Sequence, residues 1–151
     1  MEASSERNIS TLVHLSTLTQ YFIPFGNYIF PIILWSAKKN DSEFIDYNGK
    51  QVLNFQLSML LYSLILGVIA VPIIIYTVLQ NLTINDIINE NHHVFNEVHL
   101  GKLSGFAVLL ISAIIVFGFM KIMEFILIIY ASVKTSNGER YKYPLTISFF
   151  K

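Results

Sequence analysis

Two charges inside an otherwise apolar stretch, Lys121 and Glu124, are the residues of this chain best placed to do chemistry. Their i, i+3 spacing puts them on one helical face, where they can neutralise each other. Ionisable groups at membrane depth serve proton or substrate paths, so the pair is a candidate for one. Its depth favours a structural role. Counted from Leu103, Lys121 lies roughly 27 Å along a helix, near a membrane boundary, where lysine can extend its ammonium to water. A second cluster is His92, His93, Glu97 and His99. Imidazole and carboxylate are zinc ligands, and His93 and Glu97 stand one helical turn apart. The spacing lacks the HExxH pattern, so the cluster reads as a solvated loop and no metal is expected. The chain has no cysteine, which removes thiolate nucleophiles and cysteine-held metals. It also has no GxSxG, Walker or GxGxxG motif. Neither enzymatic activity nor a cofactor is expected.

Polar side chains form stripes near these charges. Gln51, Asn54 and Ser58 share one face, Gln56 and Ser63 another, and His14, Ser16, Thr19 and Gln20 line an earlier segment. In lipid such groups either bond across helices or line a hydrophilic groove. Their types alone do not choose between the two.

The elements that must position these residues follow from hydropathy. Of 151 residues 54% are hydrophobic and only 13% charged, with a mean hydropathy of +0.56. A soluble domain of this size could not hide so much apolar surface, because much of a small domain stays exposed. Net charge is zero, so no pull toward nucleic acid is expected. Residues 57–79 carry no charge, and at 1.5 Å per residue they reach about 35 Å, enough for a hydrocarbon core of about 30 Å. Pro72 predicts a kink within them. A second spanning run begins near Leu103, is uninterrupted to Met120 and continues to about Lys134. Lys134 suits the negative end of the helix, and Ser136, Asn137 and Gly138 supply the stop. Residues 10–37 behave differently. Pro24, Gly26 and Asn27 break them, leaving pieces of about 21 and 15 Å, neither able to span alone. One kinked crossing or a hairpin returning to the same side are both open from the residues.

The resulting expectation is an all-α integral membrane protein of four helices: a broken hairpin of two short helices and two long transmembrane helices. It forms a single membrane domain over 1–151, with the hairpin at 10–37, a cytoplasmic loop at 38–50 and the first long helix at 51–79. An external loop at 80–102, the second long helix at 103–134 and a cytoplasmic tail at 135–151 complete it. Lys38, Lys39 and Lys50 in the first loop, and Lys134, Arg140, Lys142 and Lys151 at the end, set the sidedness by the positive-inside bias. With the hairpin, both termini are cytoplasmic. The expected site is a bacterial cytoplasmic (inner) membrane.

Two blocks stand out. The first runs through Pro24-Phe25-Gly26-Asn27-Tyr28, Pro31 to Trp35, Phe44-Ile45-Asp46-Tyr47-Asn48-Gly49-Lys50 and Leu53-Asn54-Phe55-Gln56. The second is Gly138-Glu139 with Tyr141-Lys142-Tyr143-Pro144-Leu145-Thr146-Ile147. Together they resemble a family of small bacterial membrane proteins related to the channel-forming Tic component of chloroplast inner-envelope protein import. That resemblance implies a four-helix membrane fold whose first two helices are the broken region, which favours the hairpin. It also implies a distant kinship to protein translocation. It marks Asp46, Gly49, Lys50, Asn54, Gln56, Tyr143 and Pro144 as motif residues beside Lys121 and Glu124. Members of that family usually carry a histidine where this chain has Asn48, so no imidazole role transfers there. Asp46 or Asn48 is expected to cap the first long helix, Pro144 to hold the tail extended, and the two blocks to dock on each other. The function that follows is an interaction or assembly subunit of a membrane complex. The alternative is a small channel or transporter using an internal polar groove. Expected partners are the lipid bilayer and either a second copy or another protein of the complex.

Overall fold

The computed structural model describes residues 2–81 and 100–151, which form four α-helices and no strand. They are α1 (Glu2–Ser16), α2 (Gly26–Lys38), α3 (Glu43–Asn81) and α4 (Leu100–Ser136), with a 3-10 turn at Thr17–Tyr21. The long helices have 39 and 37 residues, roughly 58 and 56 Å. Two stretches, Glu43–Tyr76 and Val108–Ser136, are long and apolar enough to cross a membrane. A core helix of a soluble protein passes the same test but is mostly buried; here only 6% and 11% of the two apolar windows are covered. The two helices thus have the length, composition and exposure of membrane spans.

Local chemistry explains the breaks. Ser16, Thr17 and Thr19 turn their hydroxyls back onto the carbonyls of Val13, His14 and Ser16 at 2.6–2.7 Å. Such back-bonding competes with the helical ladder, and α1 tightens into the 3-10 turn at this point. Pro24 cannot continue it. Phe25 then takes φ 61, a left-handed conformation unusual for a residue with a β-carbon, and leads into α2. Gly26 allows the return: a β-carbon there would stand 2.9 Å from the Thr19 backbone.

Ser42 starts α3, its Oγ accepting from the Phe44 N–H at 3.1 Å. The helix therefore begins at Glu43, and the turn before it spans only 39–42. Asp46 and Asn48, expected as caps, sit inside the helix instead, because a serine hydroxyl four residues earlier already serves the free N–H groups. At the other end, Gly138 takes φ 85. The N–H groups of Gly138 and Glu139 return to the Thr135 and Lys134 carbonyls at 2.9 and 3.1 Å, which closes α4.

The described chain divides into two compact units. One comprises residues 63–120, where Leu64, Val68, Ile111, Ile114 and Phe119 are among many exposed apolar side chains. The other joins residues 1–62 with 121–151, and its register follows from pairs along the helices. Asn27 meets Gln56 and Trp35 meets Asp46, so α2 runs antiparallel to α3. Gln20 meets Glu124, while Arg7 approaches Gly138, so α1 runs antiparallel to α4. Helices α1 and α2 thus form a hairpin whose open end lies with the 39–42 turn and the start of the tail. In this unit more polar side chains than apolar ones are buried.

Candidate functional site

Asn54, Ser58 and Tyr62 stand at i, i+4 and i+8, one face of α3, and together they hold the backbone of the tail. Asn54 Oδ1 accepts from the Phe149 and Phe150 N–H groups at 2.9 and 2.8 Å, and Asn54 Nδ2 donates to the Phe150 carbonyl at 2.9 Å. Ser58 Oγ accepts from the Ile147 N–H at 2.8 Å, and Tyr62 Oη donates to the Leu145 carbonyl at 2.6 Å. Leu145 has φ 56, so the tail bends after Pro144 and is not extended throughout. The two sequence blocks do dock on each other. Tyr143 stacks on Phe55 with centroids 4.1 Å apart and planes at 8°. Asn54→Ala removes three of these bonds at once, each worth about 1 kcal/mol. Limited proteolysis of the variant is expected to clip the tail several-fold faster while the helices stay intact.

Behind Tyr143 lies His14, fully buried. Burial lowers its pKa to about 4, partly opposed by the hydrogen bond to Asn48. Burial and the neighbouring Tyr141 and Glu124 push the Tyr143 hydroxyl well above its usual value, so it stays protonated. Asn48 Nδ2 donates to the Phe44 carbonyl at 2.8 Å, which fixes Oδ1 as the acceptor facing His14. The neutral imidazole therefore donates from Nε2 to Asn48 Oδ1 at 3.1 Å and accepts at Nδ1 from Tyr143 at 2.8 Å. Thr135 adds a donor to the same Asn48 oxygen at 3.2 Å.

A histidine with a depressed folded pKa binds fewer protons than in the unfolded chain, so stability falls as pH drops below about 6.5 toward 4. By pH 5.5 the expected loss is about 1 kcal/mol relative to pH 7. Unfolding in detergent across that range should show the loss, and His14→Gln should flatten it. A profile unchanged by His14→Gln would refute the assignment.

Glu124 is the deepest charge described. Its side chain has no exposed area, and Lys121 Nζ reaches Oε2 at 2.8 Å with 39% of the lysine side chain exposed. Gln20 Nε2 donates to the other oxygen at 3.0 Å, and Lys121 Nζ lies 3.4 Å from Gln20 Oε1. The expected pair forms, with Gln20 as a third member. Gln56 is also buried, its Oε1 accepting from Asn27 at 2.7 Å and its carbonyl from Tyr28 at 3.4 Å. Among the described residues, neither its Nε2 nor Ser10 Oγ meets a hydrogen-bond partner.

At the open end of the hairpin, Asp46 accepts from the Trp35 indole at 2.9 Å and from Lys50 at 2.7 Å. Gly49 lies directly against that indole. Lys39 sits 4.9 Å over the Trp35 ring, and Arg140 pairs with Glu43 at 2.9 Å. Of the motif residues, Asp46 and Gly49 therefore contact Trp35 and Lys50 pairs with Asp46, while Asn54 and Tyr143 belong to the tail dock. Pro144 precedes the bend, and Gln56 faces α2. Thr135, Tyr62 and Ser42 were not legible as participants, and Trp35 stood only within the first block; a lone tryptophan needing an acceptor for its N–H was the one available signal. The cluster of His92, His93, Glu97 and His99 lies outside the described residues. Among the described ones, no three His, Asp or Glu side chains gather as a metal site.

With this geometry in view, a family model described as the magnetosome magnetite crystal formation protein family (MamF/MmsF) matches residues 5–150. No curated protein and no solved structure matches the chain. The family match corrects the resemblance to a Tic-related family, and the kinship to protein translocation goes with it. The physical reason is that the two blocks serve packing: the Tyr143 stack and the Asn54 clamp mark how the chain folds, and a fold does not carry an activity.

Proposed function

The chain belongs to the magnetosome magnetite crystal formation protein family, and from that premise we propose that it is an assembly subunit of the membrane complex that supports crystal formation. The observation carrying this reading is the buried network of His14, Asn48, Thr135 and Tyr143 with the Asn54 clamp. It ties both ends of the chain to the long helices through side chains of four segments. Satisfied polar networks of this kind rigidify a structure, as a scaffold requires and a gated carrier does not. Around the same end stand Lys38, Lys39, Arg140 and Lys142, which by the positive-inside bias face the cytoplasm and offer charged contacts to a partner. Purification in mild detergent tests this. The expected result is a complex of defined mass, either with another protein or with further copies, that survives Glu124→Gln. A monomer with nothing bound would overturn it.

A second reading rests on the buried carboxylate of Glu124, paired with a lysine whose side chain is 39% exposed. A small conduit for protons or ions would use such a group. Flux in liposomes abolished by Glu124→Gln would favour it; inert liposomes would eliminate it.

A further inference from the structure

Between α1 and α2 the chain turns apolar side chains outward. Phe22 is 87% and Phe25 71% exposed, with Tyr21 and Ile23 about half exposed beside them. Phe25 holds a left-handed φ of 61, costly for a residue with a β-carbon, and its ring stays exposed.

The level of this tip is set by its neighbours. Asn27, just after it, bonds Gln56 at 2.7 Å, where the charge-free run 57–79 of α3 begins. Tyr21, at its start, lies edge-on to Phe125 of α4 at 6.2 Å, and Gln20 meets Lys121 and Glu124, where the run 103–120 has just ended. Both neighbours stand where, along their own helix, a charge-free run meets its polar flank, which is where a hydrocarbon core of about 30 Å would begin. The tip is thus continuous with the exposed apolar surface of a spanning helix that includes Ile122, Phe125 and Ile126. Helices α1 and α2, of 15 and 13 residues, are roughly 22 and 20 Å long and return to the end where Arg7 approaches Gly138. They cannot carry the tip across.

We infer that Tyr21, Phe22, Ile23 and Phe25 form a shallow wedge inserted among the acyl chains of one leaflet only, the one on the side of Arg7 and Gly138. The occupant of this apolar surface is lipid just beneath the headgroups. Aromatic rings favour that depth, and Lys121, at the same level with 39% of its side chain exposed, pairs there with Glu124. The inference rests on membrane residence and stands or falls separately from the assembly reading.

The chain has no cysteine, so single nitroxide labels can be placed without background. Phe22→Cys and Phe25→Cys, labelled in liposomes, are to be compared with Lys39→Cys at the open end and Ile115→Cys within the long apolar run. Unchanged helix content by circular dichroism would verify that each variant is folded. The expected ratio of oxygen to nickel-chelate collisions at Phe22 and Phe25 is several-fold above that at Lys39 and below that at Ile115. Nickel access equal to that at Lys39 would place the tip in water. Shielding from both reagents would place it against protein, and a depth equal to Ile115 would make it part of a span. Any of these three results would overturn the wedge.

Discussion

Lys121→Met is expected to lower the stability of the protein in detergent by about 3 kcal/mol, at the lower end of the cost of stranding a buried charge. The carboxylate of Glu124 has no solvent of its own, and Lys121 Nζ at 2.8 Å is its cationic partner. Without the ammonium, Gln20 at 3.0 Å remains as a donor, and one neutral hydrogen bond does not offset the desolvation of a full charge. The lower end applies because the lysine is 39% exposed and its attraction is screened. Three companion variants make the reading specific. Glu124→Gln keeps a partner for Gln20 and leaves Lys121 able to reach water, so about 1 kcal/mol is expected. Replacing both residues, Lys121→Met with Glu124→Leu, should recover most of the loss, since apolar replacement of a buried pair is often neutral. Gln20→Leu should lie between the single variants. Unfolding titrations in mixed detergent read all four; a Lys121→Met protein as stable as the parent would show that Glu124 is neutral or hydrated.

Gly49→Ala is expected to cost about 3 kcal/mol, the upper end of the overpacking range. A β-carbon at Gly49 would stand 2.5 Å from Trp35 Cγ and 2.9 Å from Nε1, nearer still to Cδ1. The ring has little freedom to retreat. Its N–H is bonded to Asp46 at 2.9 Å, Lys39 covers it, and Phe150 meets its edge at 5.9 Å. Any shift breaks the indole–Asp46 bond or displaces the end of the tail. Because Trp35 is the lone tryptophan, the variant should also change the emission maximum. Trp35→Leu in the Gly49→Ala background should restore part of the stability, giving a coupling above about 1 kcal/mol between the two positions. Additive losses would mean that the clash is relieved elsewhere.

These two cases differ in how far they could be read in advance. The Lys121 and Glu124 pair was visible because one helical turn brings i and i+3 together, with no knowledge of the fold. Gly49 was marked only as part of a block, and its reason lies in a tryptophan on another helix. The helix start is intermediate. Ser42 and Glu43 carry a capping pattern that is weak against a background of polar residues at 38–50, and the helix begins eight residues earlier than the apolar run suggested. The hairpin could be posed as one of two pictures but not chosen from the residues. The pairing of Asn27 with Gln56 and of Trp35 with Asp46, beside that of Gln20 with Glu124 and Arg7 with Gly138, is what separates a return from a crossing. The family resemblance was misjudged because short packing blocks were given the weight of a functional signature.

The amino-acid order alone marked the two long apolar runs, the rough limits of their helices, and the pair on α4. All of these depend on local quantities: run length, helical periodicity and the position of charges. The tertiary structure decided which polar groups meet: His14 with Asn48 and Tyr143, Asn27 with Gln56, and Asn54 with the tail. A hydrogen bond between residues 129 positions apart, such as that of His14 with Tyr143, depends on where the chain reverses. Pro24 and Gly26 mark where the chain breaks, but which way it turns after the break is set by the partners it meets on α3 and α4.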